Sequence, residues 1–195
     1  MGKIYCIVGK SSTGKDTIYK SLLENEELKL KRIVPYTTRP IREGEREGVE
    51  YHFTDVSTLE LLQKEKKIIE HRAYQTVYGI WNYFTVKDEQ INLEKNSYLV
   101  IGTLESFQMT MEYFGADKVV PIYIALEDGE RLTRALNREK NQKEPKYEEM
   151  CRRFLADCRD FSEEKLKEAG IVKIFYNNDL QMCLKEITDF ILLGS

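Results

Sequence analysis

Two glycines and a lysine stand where they could hold phosphate: Gly9 and Gly14 frame Lys10-Ser11-Ser12-Thr13, and Lys15-Asp16-Thr17 follows at once. Glycines at that spacing let a backbone curl round an anion without Cβ clashes. The N–H groups of such a loop, with the positive end of a following helix, supply the binding field. Lys15 adds an ammonium for the outer phosphate oxygens, so the run reads as a nucleotide-phosphate loop built from Gly9, Ser11, Ser12, Thr13, Gly14, Lys15, Asp16 and Thr17. The residue after the lysine is Asp16, where a Ser or Thr hydroxyl ordinarily meets Mg²⁺. A carboxylate is a hard oxygen ligand suited to that ion, directly or through water, and Thr17 is the other candidate.

Such a loop needs a strand before it and a helix after it. Lys3–Val8 is an apolar run that predicts a buried strand, and Ile18, Leu22 and Leu23 share one face of a helix ending near Glu24. Further along, Leu28–Val34, Glu50–Phe53, Trp81–Val86, Ser97–Ile101, Val119–Leu126 and Ile171–Tyr176 read as strands. Helical patterns cover Val56–Lys66, Leu104–Phe114 (closed by Gly115), Asp128–Lys140, a segment opening near Pro145, and Leu180–Leu192 after an Asn177-Asn178-Asp179 cap. Strands alternating with helices predict an α/β chain with a central parallel sheet.

The charge balance, 30 Lys+Arg against 33 Asp+Glu, excludes a global basic field for nucleic acid or an anionic membrane. Arginine is clustered instead, at Arg39, Arg42 and Arg46, at Arg131, Arg134 and Arg138, and at Arg152 and Arg153, a pattern that suits a small polyphosphate substrate. Cys6, Cys151, Cys158 and Cys183 form no CxxC pair and read as buried thiols in a reducing compartment; with two histidines a zinc site is not expected. No signal-peptide pattern or long apolar run is present, so a cytoplasmic protein is expected.

The segment Thr37-Thr38-Arg39-Pro40-Ile41-Arg42-Glu43-Gly44-Glu45, followed by Gly48-Val49-Glu50-Tyr51-His52-Phe53, resembles the acceptor-binding signature of guanylate kinases. The resemblance runs on through Glu70, Tyr78-Gly79, the arginine-bearing lid and Asn177. It implies a P-loop three-layer fold divided into a core (1–31, 86–125, 157–195), an acceptor-binding insertion (32–85) and a helical lid (126–156). It also implies phosphoryl transfer from ATP to a nucleoside monophosphate, GMP by family weight.

In that reading Lys15, Arg134, Arg138 and Arg153 are catalytic; Arg134 and Arg153 fit the family positions better than Arg131 and Arg152. Asn177 contacts adenine, and Asp16 is placed at the metal. Arg39, Arg42, Tyr51 and Tyr78, with Gly79 beside them, hold the acceptor phosphate, and Glu70 reads the base. The remaining base-reading positions depart from the family: Gly102 replaces a carboxylate, and Pro35 and Ile80 replace hydroxyls. Each lost hydrogen bond costs about 1–3 kcal/mol, so the acceptor stays open. Lys15-Asp16, Tyr78-Gly79-Ile80 and Gly102 are similar to ribose 1,5-bisphosphate phosphokinases, which makes a ribose phosphate the alternative acceptor. A catalytically silent protein-binding module is the second alternative, opposed by the retained Lys15 and lid arginines. A GTPase-like switch lacks its Asn-Lys-x-Asp sequence.

Overall fold

The computed structural model describes residues 1–42, 44–76 and 78–194; Glu43 of the acceptor motif, with Val77 and Ser195, lies outside them. The elements are β1 (Ile4–Val8), α1 (Lys15–Glu24), β2 (Lys31–Arg32), β3 (Tyr36–Thr37), β4 (His52–Phe53), α2 (Val56–Lys64), β5 (Ile68–Thr76), β6 (Gly79–Val86), β7 (Tyr98–Ile101), α3 (Leu104–Phe114), β8 (Val119–Ala125), α4 (Asp128–Lys140), α5 (Tyr147–Asp160), α6 (Glu163–Glu168), β9 (Ile174–Tyr176) and α7 (Leu180–Leu192).

Five parallel strands form the central sheet in the order β2-β7-β1-β8-β9. Strand β1 is buried along its whole length because both faces are covered. Tyr5 and Ile7 pack with Ile18 and Leu22 of α1 and Cys183, Ile187 and Ile191 of α7. Ile4, Cys6 and Val8 pack on the opposite face with Leu104 and Phe107 of α3 and with Phe161 and Ala169. The result is the expected three-layer arrangement, and it fixes the loop after Val8 at the carboxyl edge of the sheet, where α/β proteins bind ligands.

A second, mixed sheet (β4-β3-β6-β5) carries a smaller core of Leu59, Phe84 and Val86. Three sequence expectations change here. The strand expected over Leu28–Val34 is laddered only at Lys31–Arg32, while Leu28, Leu30, Ile33 and Val34 are buried by packing around it. Strand β5 was not expected, since its burial does not alternate and its register with β6 shifts between Ile68 and Glu70. Helix α6 was not expected either; it buries no residue, so it has no apolar stripe to read. The cysteines also divide: Cys6 and Cys183 are buried, Cys158 is half-buried and Cys151 is exposed, all four as free thiols. Among the described residues no helix is long and apolar enough to cross a membrane.

Candidate functional site

Helix α1 starts at Lys15 behind Gly14, which takes a left-handed φ of 88° and provides no side-chain cap. The first-turn N–H groups therefore remain open to an anion. The loop is braced from below. Thr13 Oγ1 donates to the Lys10 carbonyl at 2.9 Å, and Asn177 Nδ2 donates to the Thr13 carbonyl at 2.7 Å. A side chain at position 14 would strike that Asn177 amide, so the approach itself requires glycine. Ser12 is also left-handed, at φ 63°, and its buried hydroxyl has no hydrogen-bond partner among the described residues. Lys15 Nζ reaches the Lys10 carbonyl at 3.4 Å. Burial lowers the pKa of this lysine, against the opposing pull of Asp16 and Asp157.

The three expected lid arginines lie near this loop. A methyl group built on Gly14 would sit 3.9 Å from Arg134 Nη1, and Arg134 Nε is held by Glu130 at 3.0 Å. Arg138 and Arg153 share a small recess with Ser11 and Ser12. Arg153 is loosely tethered by Glu139 at 3.8 Å and Glu149 at 3.6 Å.

Arg131, ranked below Arg134 from sequence, and Asp157, which the sequence did not single out, join the loop to α4 and α5. Arg131, 1 % exposed, donates from Nε to the Ser11 carbonyl and from Nη2 to Asp157 Oδ2, both at 3.0 Å, and also pairs with Asp128. Asp157 Oδ2 in turn accepts the Ser11 N–H at 2.7 Å. Asn177, expected at the adenine, is buried with its amide nitrogen on the loop.

Beyond α1 opens a cleft of about 590 Å³, lined by Asp16, Lys20, Arg32, Pro35, Tyr51 and Arg72 among others. Of the expected acceptor residues, Tyr51 is on this wall. Arg39 lies behind it, its guanidinium 5.0 Å from the Tyr51 ring and bidentate to Glu45. Arg42 and Tyr78 meet at Trp81 instead, with Tyr78 beside Gly79 at the β5–β6 turn and 82 % exposed. Glu70 is buried, paired with Arg72 and accepting from Thr85 Oγ1. Arg72 escaped the sequence reading, although its position two residues from Glu70 puts both on one face of a strand.

The guanylate kinase family model matches residues 1–192. The chain belongs to the guanylate kinase family. Mycoplasma mobile guanylate kinase is 35 % identical over 150 residues, covering 73 % of each chain. Neisseria gonorrhoeae guanylate kinase is 40 % identical over 91 residues, 47 % of this chain and 42 % of the relative. In the Chromohalobacter salexigens guanylate kinase the matched stretch is 36 % of that protein, so this chain aligns to less than half the length of these last two. The crystal structure of guanylate kinase from Anaplasma phagocytophilum superposes with a TM-score of 0.68 over 98 % of this chain and 85 % of that one, at 23 % identity, and shares the fold.

Guanylate kinases are kinases that need a divalent metal in general, and the residues present fit one shared with phosphates. Asp16 is exposed at the junction of loop and cleft, with Thr17 beside it. Among the described residues no group of three or more His, Cys, Asp or Glu could hold an ion alone. One carboxylate plus substrate oxygens is the usual environment of Mg²⁺.

The Arg39–Glu45 pair is expected to make the stability of this guanylate kinase family member depend on acid pH. Bidentate contact with Arg39 pulls the Glu45 pKa down to about 2. Its contribution is therefore full above the ordinary carboxylate pKa of about 4.3 and is lost as pH falls toward 2. Glu45→Gln is expected to destabilise the protein at pH 7 and to matter progressively less as pH falls from about 4 through 2, as read from denaturant midpoints at several pH values. A destabilisation that does not change with pH would remove the ion pair as its cause.

Proposed function

We propose that this protein transfers the terminal phosphoryl group of ATP to GMP, giving ADP and GDP, with Mg²⁺ as the divalent ion and in the cytoplasm, a setting that suits four free thiols. One observation carries the reading: Lys15 and Asp16 are consecutive, the first held inside the phosphate loop and the second lining the acceptor cleft. Donor and acceptor would therefore meet at the N-terminus of α1, the geometry an in-line transfer needs.

Each part of the chain has a task in this scheme. Amides from Ser11 to Thr17 and the Lys15 ammonium hold the donor phosphates, with Gly9 and Gly14 allowing the close approach and Asn177 bracing the loop. Arg134, Arg138 and Arg153 neutralise charge spreading over the transferring group, since guanidinium forks match phosphate oxygens. Arg39, Arg42, Tyr51 and Tyr78 take the acceptor phosphate as the insertion (32–85) and lid (126–156) close on the core and exclude water. Mg²⁺, when bound, would screen the donor oxygens, and Asp16 and Thr17 would hold it there.

The test is ADP release from MgATP with GMP, AMP, CMP, UMP and ribose 1,5-bisphosphate in turn. Turnover of about 1–100 s⁻¹ with GMP is expected. Preference for the ribose phosphate would replace the acceptor, and silence with all of them would leave a binding module. Asp16→Ser, which restores a hydroxyl at this position, is expected to keep activity and to change its Mg²⁺ dependence. An unchanged Mg²⁺ titration would take Asp16 out of the metal site.

A further inference from the structure

Glu139, in the last turn of α4, is 2 % exposed. A buried carboxylate is tolerated only when it is hydrogen-bonded and paired with a cation. The hydrogen bonds come from the turn between α4 and α5: Oε2 accepts the Lys146 N–H at 3.0 Å, and Oε1 accepts from Gln142 Nε2 at 3.3 Å. Both donors are neutral amides. Among the described residues the cation within ion-pair distance of Glu139 is Arg153, whose Nη2 lies 3.8 Å from Oε1.

That separation decides what the pairing can do. It exceeds hydrogen-bond length, so charge attracts the guanidinium while its N–H donors stay out of the contact. The neighbouring arginine is the contrast. Arg152 donates from Nε and Nη2 to Glu149 at 2.6 and 2.8 Å, and its fork is fully engaged. Glu149 is thereby committed to Arg152, and it meets Arg153 Nε only at 3.6 Å. Arg131 is committed too, to Ser11, Asp157 and Asp128. Arg153 therefore borders the recess it shares with Ser11, Ser12 and Arg138 with a fork that neither carboxylate has closed on. Met150 and Phe154 make part of that recess apolar, and a charge pair acts more strongly there than in open water.

On the phosphoryl-transfer reading above, we propose that Glu139 is a positioning residue for Arg153. Its buried charge holds the guanidinium beside the phosphate loop and leaves the N–H groups for phosphate oxygens. Consecutive residues of α4 then serve the same site: Arg138 from its own side chain, and Glu139 by aiming an arginine of α5.

Glu139→Gln removes the charge and keeps an oxygen for the Lys146 N–H, so the turn is retained. With MgATP and GMP its kcat is expected to fall about 10- to 100-fold, the scale of a group misplaced by about an ångström, with KM for GMP unchanged. A double-variant cycle with Arg153→Met separates positioning from a merely structural role. If Glu139 acts through Arg153, the double variant turns over at the rate of Arg153→Met alone. Losses that multiply, or a wild-type kcat in Glu139→Gln, overturn the proposal. A second comparison does not need the single Gln variant. Arg153→Met should melt below the double variant, because it alone keeps a buried carboxylate without its cation, and the reverse order overturns the pairing. Either failure in a wild type that transfers phosphoryl groups removes Glu139 only. Absence of transfer to every acceptor by the wild type overturns the kinase reading and this proposal with it.

Discussion

Lys15→Met is expected to lower turnover with MgATP and GMP by about 10²- to 10³-fold, the scale seen when one preorganised charge or donor is removed from a reacting oxyanion. The ammonium is half-buried within its own loop, and burial already works against its charge. A cation held where water is scarce acts on a phosphate oxygen far more strongly than one in bulk solvent. The loop should survive the change, because Thr13 Oγ1 still donates to the Lys10 carbonyl and Asn177 still holds Thr13. The signature is thus a collapse of kcat with little change in KM for GMP and a thermal midpoint near wild type. Near-normal kcat would mean that other groups, such as Arg134, Arg138 and Arg153, carry the donor phosphates and Lys15 only packs.

Arg131→Leu should cost stability instead. The wild-type guanidinium is buried and binds two carboxylates and the Ser11 carbonyl. Removing one partner of a buried pair costs about 3–5 kcal/mol because the other charge is stranded. Asp128 is half-exposed and Asp157 keeps the Ser11 N–H, so the lower end applies. About 3 kcal/mol corresponds to a fall in midpoint of about 6–12 °C for a chain of this size. The double variant Arg131→Leu with Asp157→Asn should recover part of that loss, since the stranded charge is then gone while the amide oxygen can still accept the Ser11 N–H. A shift within about 2 °C for the single variant would show that solvent already screens the network.

These two residues mark what the sequence made legible. Strand β1, the phosphate loop and α1 are contiguous, and each strengthens the reading of the next. Arg131 and Asp157 are 26 positions apart on different helices, and nothing local distinguishes that arginine from Arg134 one turn on. Arg72 was hidden for a related reason. It lies on β5, whose burial pattern does not alternate, so the face it shares with Glu70 is visible only once the hairpin with β6 is formed. The insertion motif, by contrast, was readable as a string, yet its string does not say that Arg39 turns onto Glu45 or that Tyr78 sits out at a turn.

The stack at that turn gives the molecule an optical property. Trp81 is the only tryptophan in the chain, and it touches both Arg42, at 5.7 Å, and Tyr78, nearly parallel at 6.1 Å. Indole emission responds to a nearby cation and to a stacked phenol. Drawing either residue toward an acceptor phosphate would therefore change the fluorescence of a single, unlabelled chromophore. The protein thus carries an intrinsic reporter, and stopped-flow mixing with GMP alone would test the proposed acceptor for binding apart from any transfer.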